Sequence, residues 1–144
     1  MCYNLLVNLT LVQQNKLSKV LRASGAVIGY LFGSYVRGTA GVLSDIDVAV
    51  AFSVDMSKEN QDNCVENIRA ELEKTFGKDK VDVVNLNQIN NPLLRYIILL
   101  GEGVQLFSED TSLCSRLIMY ARREYEDTAH LRMIQSQALS GLFV

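Results

Sequence analysis

Two aspartates stand two residues apart in the alternating segment 44–52, which reads SDIDVAVAF. Successive side chains of a β-strand point to opposite faces, so Asp45 and Asp47 are expected on one face, opposite the apolar face of the strand. Like charges at this separation repel and raise each other's pKa. A divalent cation that prefers oxygen ligands, Mg²⁺ or Mn²⁺, would neutralise the pair. The simpler alternative is two solvated acids at the edge of a strand.

A glycine and a serine, Gly33 and Ser34, stand where the apolar segment 26–32 ends and a short turn or helix begins. Glycine allows the backbone to approach a ligand closely, and N–H groups at such a turn are suited to phosphate. Gly-Ser pairs also form ordinary turns, so this pair alone does not define a site.

A third carboxylate, Asp82, lies between two valines in the apolar segment 81–86. An unpaired carboxylate in such a strand is costly unless a positive group faces it. Lys80 is one candidate, and a metal ion held by the first two acids is another. The order and spacing of the three features together are more informative than any one of them.

The elements that position these residues follow from apolar periodicity and from breaks at glycine and proline. In chain order we predict a helix at 4–24, a strand at 26–32, a short turn or helix at 35–43, a strand at 44–52, a helix at Lys58–Phe76, a strand at 81–86, a helix starting at Asn91-Pro92, an edge strand at 104–107 and a long helix from 109 to about 137. The apolar stripes assign Val12, Leu93 and Tyr120 to the core. This order predicts one layered α/β or α+β domain over residues 1–144, with helices packed on a small sheet.

The composition excludes several classes of protein. The 144 residues are 49% apolar and carry a net charge of −2, which excludes disorder. The apolar runs are too short to span a bilayer, and the start lacks the features of a signal peptide. A pI near 5.4 argues against direct nucleic-acid binding. Three dispersed cysteines and the lone His130 indicate a reducing, cytoplasmic location without a zinc site.

The segment GSYVRGTAGVLSDIDVAV contains a GS pair, ten residues and then DxD. This pattern resembles the nucleotidyltransferase superfamily of DNA polymerase beta, with Asp82 in KVDVVNL where the family has a third acid. The resemblance covers about residues 26–107, which would be the catalytic core. It implies an α+β (α/β-like) nucleotidyltransferase fold, a single domain with a small mixed sheet flanked by helices. The short chain is similar to the minimal nucleotidyltransferases, the MntA-like antitoxins encoded beside HEPN-domain toxins.

The resemblance implies a role for each matching residue. Gly33 and Ser34 would hold the β- and γ-phosphates of ATP, and Arg37 would contact the triphosphate. Asp45 and Asp47 would ligate two Mg²⁺ ions, while Asp82 would join the catalytic ion and help to deprotonate the acceptor hydroxyl.

The function that follows is a magnesium-dependent transfer of AMP from ATP to a hydroxyl, expected to be a tyrosine, of a partner HEPN toxin. A homodimer and a hetero-oligomer with the toxin are both compatible with the sequence. Two alternatives stay open: an adenylyltransferase for a small molecule such as an antibiotic, and a non-catalytic antitoxin that neutralises its toxin by binding. The final helix, which carries Arg122, Arg123 and Arg132 among aromatic residues, is a candidate for docking the partner.

Overall fold

The computed structural model describes residues 9–41 and 43–142, with side chains up to residue 138. Within these ranges five helices and four strands follow one another. Their order is α1 (Leu11–Ala23), β1 (Ile28–Phe32), α2 (Ser34–Arg37), β2 (Ile46–Ala51), α3 (Lys58–Phe76), β3 (Val81–Asn85), α4 (Pro92–Leu99), β4 (Val104–Ser108) and α5 (Thr111–Leu142).

The four strands form one mixed sheet in the order β3-β2-β1-β4. Strand β1 is antiparallel to both of its neighbours, β2 and β4, whereas β2 and β3 are parallel and are connected through α3. The predicted α+β domain, with the small mixed sheet that the family resemblance implies, is therefore confirmed.

Helices cover both faces of this sheet. One core lies between the sheet and α1 and α3, and its fully buried members include Leu21, Val48 and Ile68. The other lies beneath α4 and α5 and includes Ala49, Ile98 and Ala121. Both faces of β2 are buried, and its second face is lined with alanine, which leaves space for the helices above it. The two central strands are thus held rigidly from both sides.

Local signals set the ends of several helices. Ser57 and Asn91 accept hydrogen bonds from the backbone N–H groups of Asn60 and Leu94, so they cap α3 and α4, and the start of α4 at Asn91-Pro92 is as predicted. Pro92 occupies the first turn of α4, where its missing N–H costs nothing. Helix α3 has the predicted bounds.

The first helix is shorter than predicted. Thr10 forms a capping box with Gln13, so α1 begins at Leu11, and Leu9 precedes the helix. Residues 4–8 of the predicted helix lie outside the described residues. Helix α5 extends beyond the predicted end at about 137.

Three core assignments are wrong. Val12, Leu93 and Tyr120 are exposed, with 77%, 46% and 55% of their surface accessible. In α4 the helix is rotated so that Arg95 is buried in place of Leu93. The charge of Arg95 is matched there by Glu124 from α5, which makes its burial tolerable. No helix in the described part of the chain is long and apolar enough to cross a membrane.

Candidate active site

The predicted site residues converge at one end of the sheet. Asp47 at the start of β2 pairs in register with Phe32 at the end of β1 and with Asp82 at the start of β3. Gly33 directly follows Phe32. On the other side of β1, Leu31 pairs with Val104, which directly follows Gly103. We call this edge the acid end and define it by Gly33, Asp45, Asp47, Asp82 and Glu102.

Gly33 is required at its position for two reasons. Its φ of 81° lies in the region that side chains disfavour. A Cβ at this residue would also lie 2.1 Å from Oδ2 of Asp47, far closer than atoms can approach. The first α2 residue, Ser34, follows immediately and is half-buried. The bare backbone of Gly33 therefore lies directly against a carboxylate.

The carboxyl group of Asp47 has a raised pKa. The pKa of Asp47 is raised to about 6, first by burial and then by the negative charge of Asp82, a side-chain hydrogen bond with Asp82 and the charge of Asp45. The nearby Arg37 guanidinium acts in the opposite direction and lowers the pKa. Asp47 and Asp82 therefore interact directly, as expected from their register on parallel strands.

Asp45 does not belong to the strand in which it was predicted. The sheet ladder begins at Ile46, whose N–H donates to Lys80 O at 2.8 Å, and Asp45 lies exposed just before it. Its side chain is therefore held less firmly than that of Asp47, although its charge still acts on Asp47. The expected partner of Asp82 is also different, because the Lys80 ammonium donates to Leu43 O at 3.2 Å.

Arg37 ends α2 and forms an ion pair with a residue that the sequence reading missed. Its Nη1 donates to Oε1 and Oε2 of Glu102 at 2.9 and 3.1 Å. The N–H of Gly33 donates to Glu102 Oε1 at 3.2 Å. A carboxylate from the loop before β4 thus contacts two of the groups that the sequence assigns to the triphosphate.

The local sequence contains one signal for Glu102, since it stands between Gly101 and Gly103. A Cβ at Gly103 would lie 1.8 Å from Ile98 O, so the loop packs directly on the end of α4. Glycines of this kind mark a close backbone approach. They do not reveal that the loop reaches a residue 69 positions earlier in the chain.

Carboxylate oxygens are the donors that Mg²⁺ prefers, and Asp47 and Asp82 are brought together at the cost of mutual repulsion. Their donor chemistry and charge fit a hard divalent cation. Within residues 9–41 and 43–142, however, no three His, Cys, Asp or Glu side chains are arranged to hold one ion together. The acids therefore fit a divalent cation in donor type and in charge. The described side chains are not arranged as a coordination shell.

Comparison with family models identifies the class of protein. Residues 15–112 match the family described as Polymerase beta, Nucleotidyltransferase, and the chain belongs to this family. The match contains every residue of the acid end. The superfamily predicted from the GS and DxD elements is confirmed.

Several solved structures share the fold over nearly the whole chain. A toxin-antitoxin with AMP-PNP is 23% identical, with a TM-score of 0.64, and the match covers 91% of this chain and 98% of that one. The toxin-antitoxin MntA-HepT is 20% identical, with a TM-score of 0.60, and covers 94% and 100%.

A third structure contains a tri-AMPylated Shewanella oneidensis HEPN toxin in complex with MNT antitoxin. It is 22% identical, with a TM-score of 0.58 and coverage of 91% and 96%. At these identities the likeness establishes the fold. No curated protein is significantly similar in sequence to this chain.

Proposed function

We propose that this chain is a magnesium-dependent nucleotidyltransferase that moves AMP from ATP to a tyrosine hydroxyl of a HEPN toxin and thereby acts as an antitoxin. The single observation that carries this proposal is the acid end. There Gly33 directly follows β1, and Asp47 and Asp82 lie on the two next strands of the sheet, β2 and β3, which are about 4.8 Å apart. The solved structures with this fold support the choice of partner and of donor nucleotide.

The acids have distinct surroundings and we assign them distinct tasks. Asp45, Asp47 and Asp82 would hold Mg²⁺, which when bound screens the charge of a triphosphate and lowers the pKa of an acceptor hydroxyl. Asp82 is exposed on the edge strand β3, so a hydroxyl of a second protein can reach it. Asp82 is therefore the carboxylate that we assign to accept the hydroxyl proton.

The phosphates would lie on the β1 side of the acids. Gly33 offers a backbone N–H beside Asp47, and Ser34 adds a hydroxyl one residue further on. Arg37 contributes a positive charge close enough to act on Asp47. We propose that these groups bind the β- and γ-phosphates, which leave together as pyrophosphate.

In the proposed reaction the acceptor hydroxyl displaces pyrophosphate from ATP, and Asp82 takes up the hydroxyl proton. The acceptor oxygen forms a bond to the α-phosphorus, and the bond from that phosphorus to the bridging oxygen of pyrophosphate breaks. The hydroxyl proton passes to an Oδ atom of Asp82. Such a transfer depends on alignment and charge screening more than on covalent catalysis.

A partner protein has an accessible surface to use near this site. Arg122 of α5 lines a cavity of about 380 Å³ together with Leu100, the residue just before the Glu102 loop. Arg123 is exposed beside it. Arg132 is less available than predicted, because its guanidinium stacks over Tyr125 and donates to Tyr125 O at 2.8 Å. We therefore propose Arg122 and Arg123 as the docking residues.

We propose the cytoplasm as the place of this reaction. Cys64 and Cys114 are free thiols, as expected for a reducing compartment that also supplies ATP.

The decisive experiment is mass spectrometry, of the intact protein and of its peptides, on the partner expected from this proposal, a HEPN-domain protein encoded beside this gene. The purified partner is incubated with this chain, ATP and Mg²⁺, and parallel samples omit ATP or contain the Asp82→Asn variant. We expect the partner to gain the mass of one or more AMP groups on tyrosine only in the complete mixture. The variant should still bind Mg-ATP, with modestly reduced affinity, and should fail to transfer AMP.

Each alternative has its own outcome in the same assay. Loss of toxin activity without any added mass would replace this proposal with an antitoxin that acts by binding. An unmodified and fully active partner, together with adenylylation of an aminoglycoside, would replace it with a small-molecule adenylyltransferase.

A further inference from the structure

Glu102 makes the contacts that an anionic phosphate would make. Its Oε1 accepts from the N–H of Gly33 at 3.2 Å and from Nη1 of Arg37 at 2.9 Å. Its Oε2 accepts from the same Nη1 at 3.1 Å. A carboxylate and a phosphate both present adjacent anionic oxygens to such donors. Glu102 therefore binds two of the three residues, Gly33 and Arg37 but not Ser34, that we assign to the β- and γ-phosphates.

We propose that Glu102 competes with the pyrophosphate moiety for Gly33 and Arg37, lowering the affinity of the site for ATP and promoting the release of pyrophosphate. This inference rests on the proposed function, because it takes the ligand of Gly33 and Arg37 to be a pyrophosphate group. Glu102 is accordingly a positioning residue that acts on product release and takes no part in the transfer.

The backbone keeps Glu102 opposite Gly33. The loop before β4 packs on the end of α4, where a Cβ at Gly103 would lie 1.8 Å from Ile98 O and one at Gly101 would lie 2.9 Å from Ile97 O. After the loop, Val104 pairs with Leu31 in the sheet. The Cα of Glu102 is thus held near Gly33 whether or not a ligand is bound.

The side chain of Glu102 can nevertheless leave its partners. A cavity of about 390 Å³ lies beside it, lined by residues 101–105. The side chains of Glu102 and Arg37 are 24% and 54% exposed, so their ion pair is partly solvated. Pairs of this kind contribute modestly to stability. An entering pyrophosphate group can therefore displace Glu102, and the carboxylate can return when the product leaves.

Competition of this kind distinguishes ligands by the part of the site that they occupy. ATP and pyrophosphate must displace Glu102, whereas AMP lacks the two phosphates assigned to Gly33 and Arg37. Removing the carboxylate should therefore strengthen the binding of the first two ligands by the same factor. The binding of AMP should hardly change.

The test is isothermal titration calorimetry of the full chain with Mg-ATP, Mg-pyrophosphate and AMP as the probes. We expect Glu102→Gln and Glu102→Ala to lower Kd for Mg-ATP and Mg-pyrophosphate by about three- to ten-fold, the range for losing a partly exposed charged contact. Kd for AMP should change less than two-fold. The control is Glu109→Gln, since Glu109 pairs with Arg22 at 3.3 Å on another surface and should leave all three Kd values unchanged.

A second measurement separates competition from a general structural effect. In the Arg37→Gln background, Glu102→Gln should strengthen binding by a smaller factor than in the wild type, because Glu102 then competes only for the N–H of Gly33. In AMP transfer, Glu102→Gln should slow multiple turnover and increase inhibition by pyrophosphate.

The outcomes distinguish this inference from the proposed function. If the wild-type chain binds Mg-ATP and the Glu102 variants bind it equally or more weakly, Glu102 serves to hold Arg37 for the nucleotide and the competition is refuted. If neither the wild-type chain nor the variants bind Mg-ATP or Mg-pyrophosphate, the nucleotide site itself is refuted and the competition with it. Binding by the variants alone would be the strongest support.

Discussion

The two ends of the sheet use polar side chains in opposite ways. At the end of the sheet away from the acids, neutral amide side chains form hydrogen bonds with one another and with the backbone. We call this group, Gln61, Asn85, Asn87 and Gln88, the amide end. Asn87 both accepts from Phe52 N–H and donates to Phe52 O at 2.9 Å. Gln61 Oε1 accepts from Asn85 and Gln88 at 3.0 and 2.9 Å. Here the polar groups close loops onto strands and stabilise the fold.

At the acid end, by contrast, two carboxylates of like charge lie close together and repel each other. Asp47 and Asp82 carry the same charge, and Gly33 has a positive φ beside them. Repulsion between the two carboxylates costs free energy, which the packing of helices on both faces of the sheet helps to offset. The comparison teaches that this fold places mutually repelling charges where it is proposed to act, whereas the amide end pairs its polar groups.

Two Arg–Glu pairs show the same contrast. Arg95 of α4 and Glu124 of α5 are only 8% and 20% exposed, and Arg95 also donates to Ile89 O. Among the described side chains, Arg95 Nε is a buried donor that finds no partner, so even this pair is not fully satisfied. Arg37 and Glu102 are far more exposed. The first pair joins two helices, whereas the second can exchange with a ligand.

The largest effect is expected from the acid end. Asp47→Asn keeps the shape of the side chain and removes its charge, so transfer of AMP should fall at least about a hundred-fold because metal binding supplies several kcal/mol to such reactions. The variant should be as stable as the wild type or more stable, since repulsion with Asp82 is relieved. Transfer rates and thermal melts of the same samples measure both effects.

Asp55→Asn is the matched control, because Asp55 is an exposed carboxylate in the loop after β2. It should leave transfer and stability unchanged. Asp45→Asn should also reduce transfer by orders of magnitude. Wild-type transfer rates in either Asp45→Asn or Asp47→Asn would contradict the assignment of the metal site.

The next effect concerns stability and separates the two ion pairs. Arg95→Met leaves the Glu124 carboxylate half-buried without its partner and should reduce the free energy of unfolding by about 2–4 kcal/mol. Arg37→Met should reduce it by at most about 1 kcal/mol, because its pair is partly solvated. Urea unfolding followed by circular dichroism measures both values.

A third variant tests the reason for the difference. The double change Arg95→Met with Glu124→Met removes the unpaired charge and should recover part of the lost stability. Equal losses for Arg37→Met and Arg95→Met would show that the contrast between the pairs does not exist.

Local sequence patterns predicted much of the fold because they encode local structure. The bounds of α3 follow from its apolar spacing, the Ser57 cap and Gly77 beyond its end. The spacing of Gly33, Asp45 and Asp47 was recognisable because all three lie in one continuous segment, from the end of β1 to the start of β2. The family model supports the superfamily assignment that this spacing carried.

Contacts between distant segments were missed. Glu102 reaches Gly33 only because β4 pairs with β1, and neither strand specifies its partner locally. In the same way Arg95 is buried because Glu124 of a later helix faces it, so the apolar stripe of α4 predicted the wrong rotation. Tertiary pairing overrides local preference at both places.

A smaller effect is expected from the proposed docking residues on α5. Arg122→Glu together with Arg123→Glu should slow modification of the partner about ten-fold, because reversed charges at an interface weaken encounter and binding. Kd for Mg-ATP should not change, since both residues lie outside the acid end. Initial rates at limiting partner concentration and calorimetry with Mg-ATP test these statements.

The control reverses two positive charges elsewhere. Lys16→Glu with Lys19→Glu changes the net charge equally on an exposed face of α1 and should leave the rate within two-fold. If both double variants behave alike, the docking surface lies elsewhere and the acid end is unaffected.

The smallest expected effect is the contribution of Asp47 at the acid end to the pH dependence of stability. The pKa of Asp47 is raised in the folded chain from 3.8 to about 6, first by burial and then by Asp82. A raised pKa means that folding favours the protonated form. The contribution of Asp47 to stability is therefore fully present below pH 4 and is lost as the pH rises through 6. Because the group is partly solvated, the loss should be roughly 1–2 kcal/mol.

The informative quantity is the difference in stability between wild type and Asp47→Asn, because every contribution that the two chains share cancels. Asparagine does not ionise, and the stability advantage of the variant should grow between pH 4 and pH 7. Urea unfolding of both chains in EDTA, at half-unit steps of pH, measures it. An advantage that is constant or shrinks with rising pH would show that Asp47 is not held against its neighbours. The acid end would then be no more strained than the amide end.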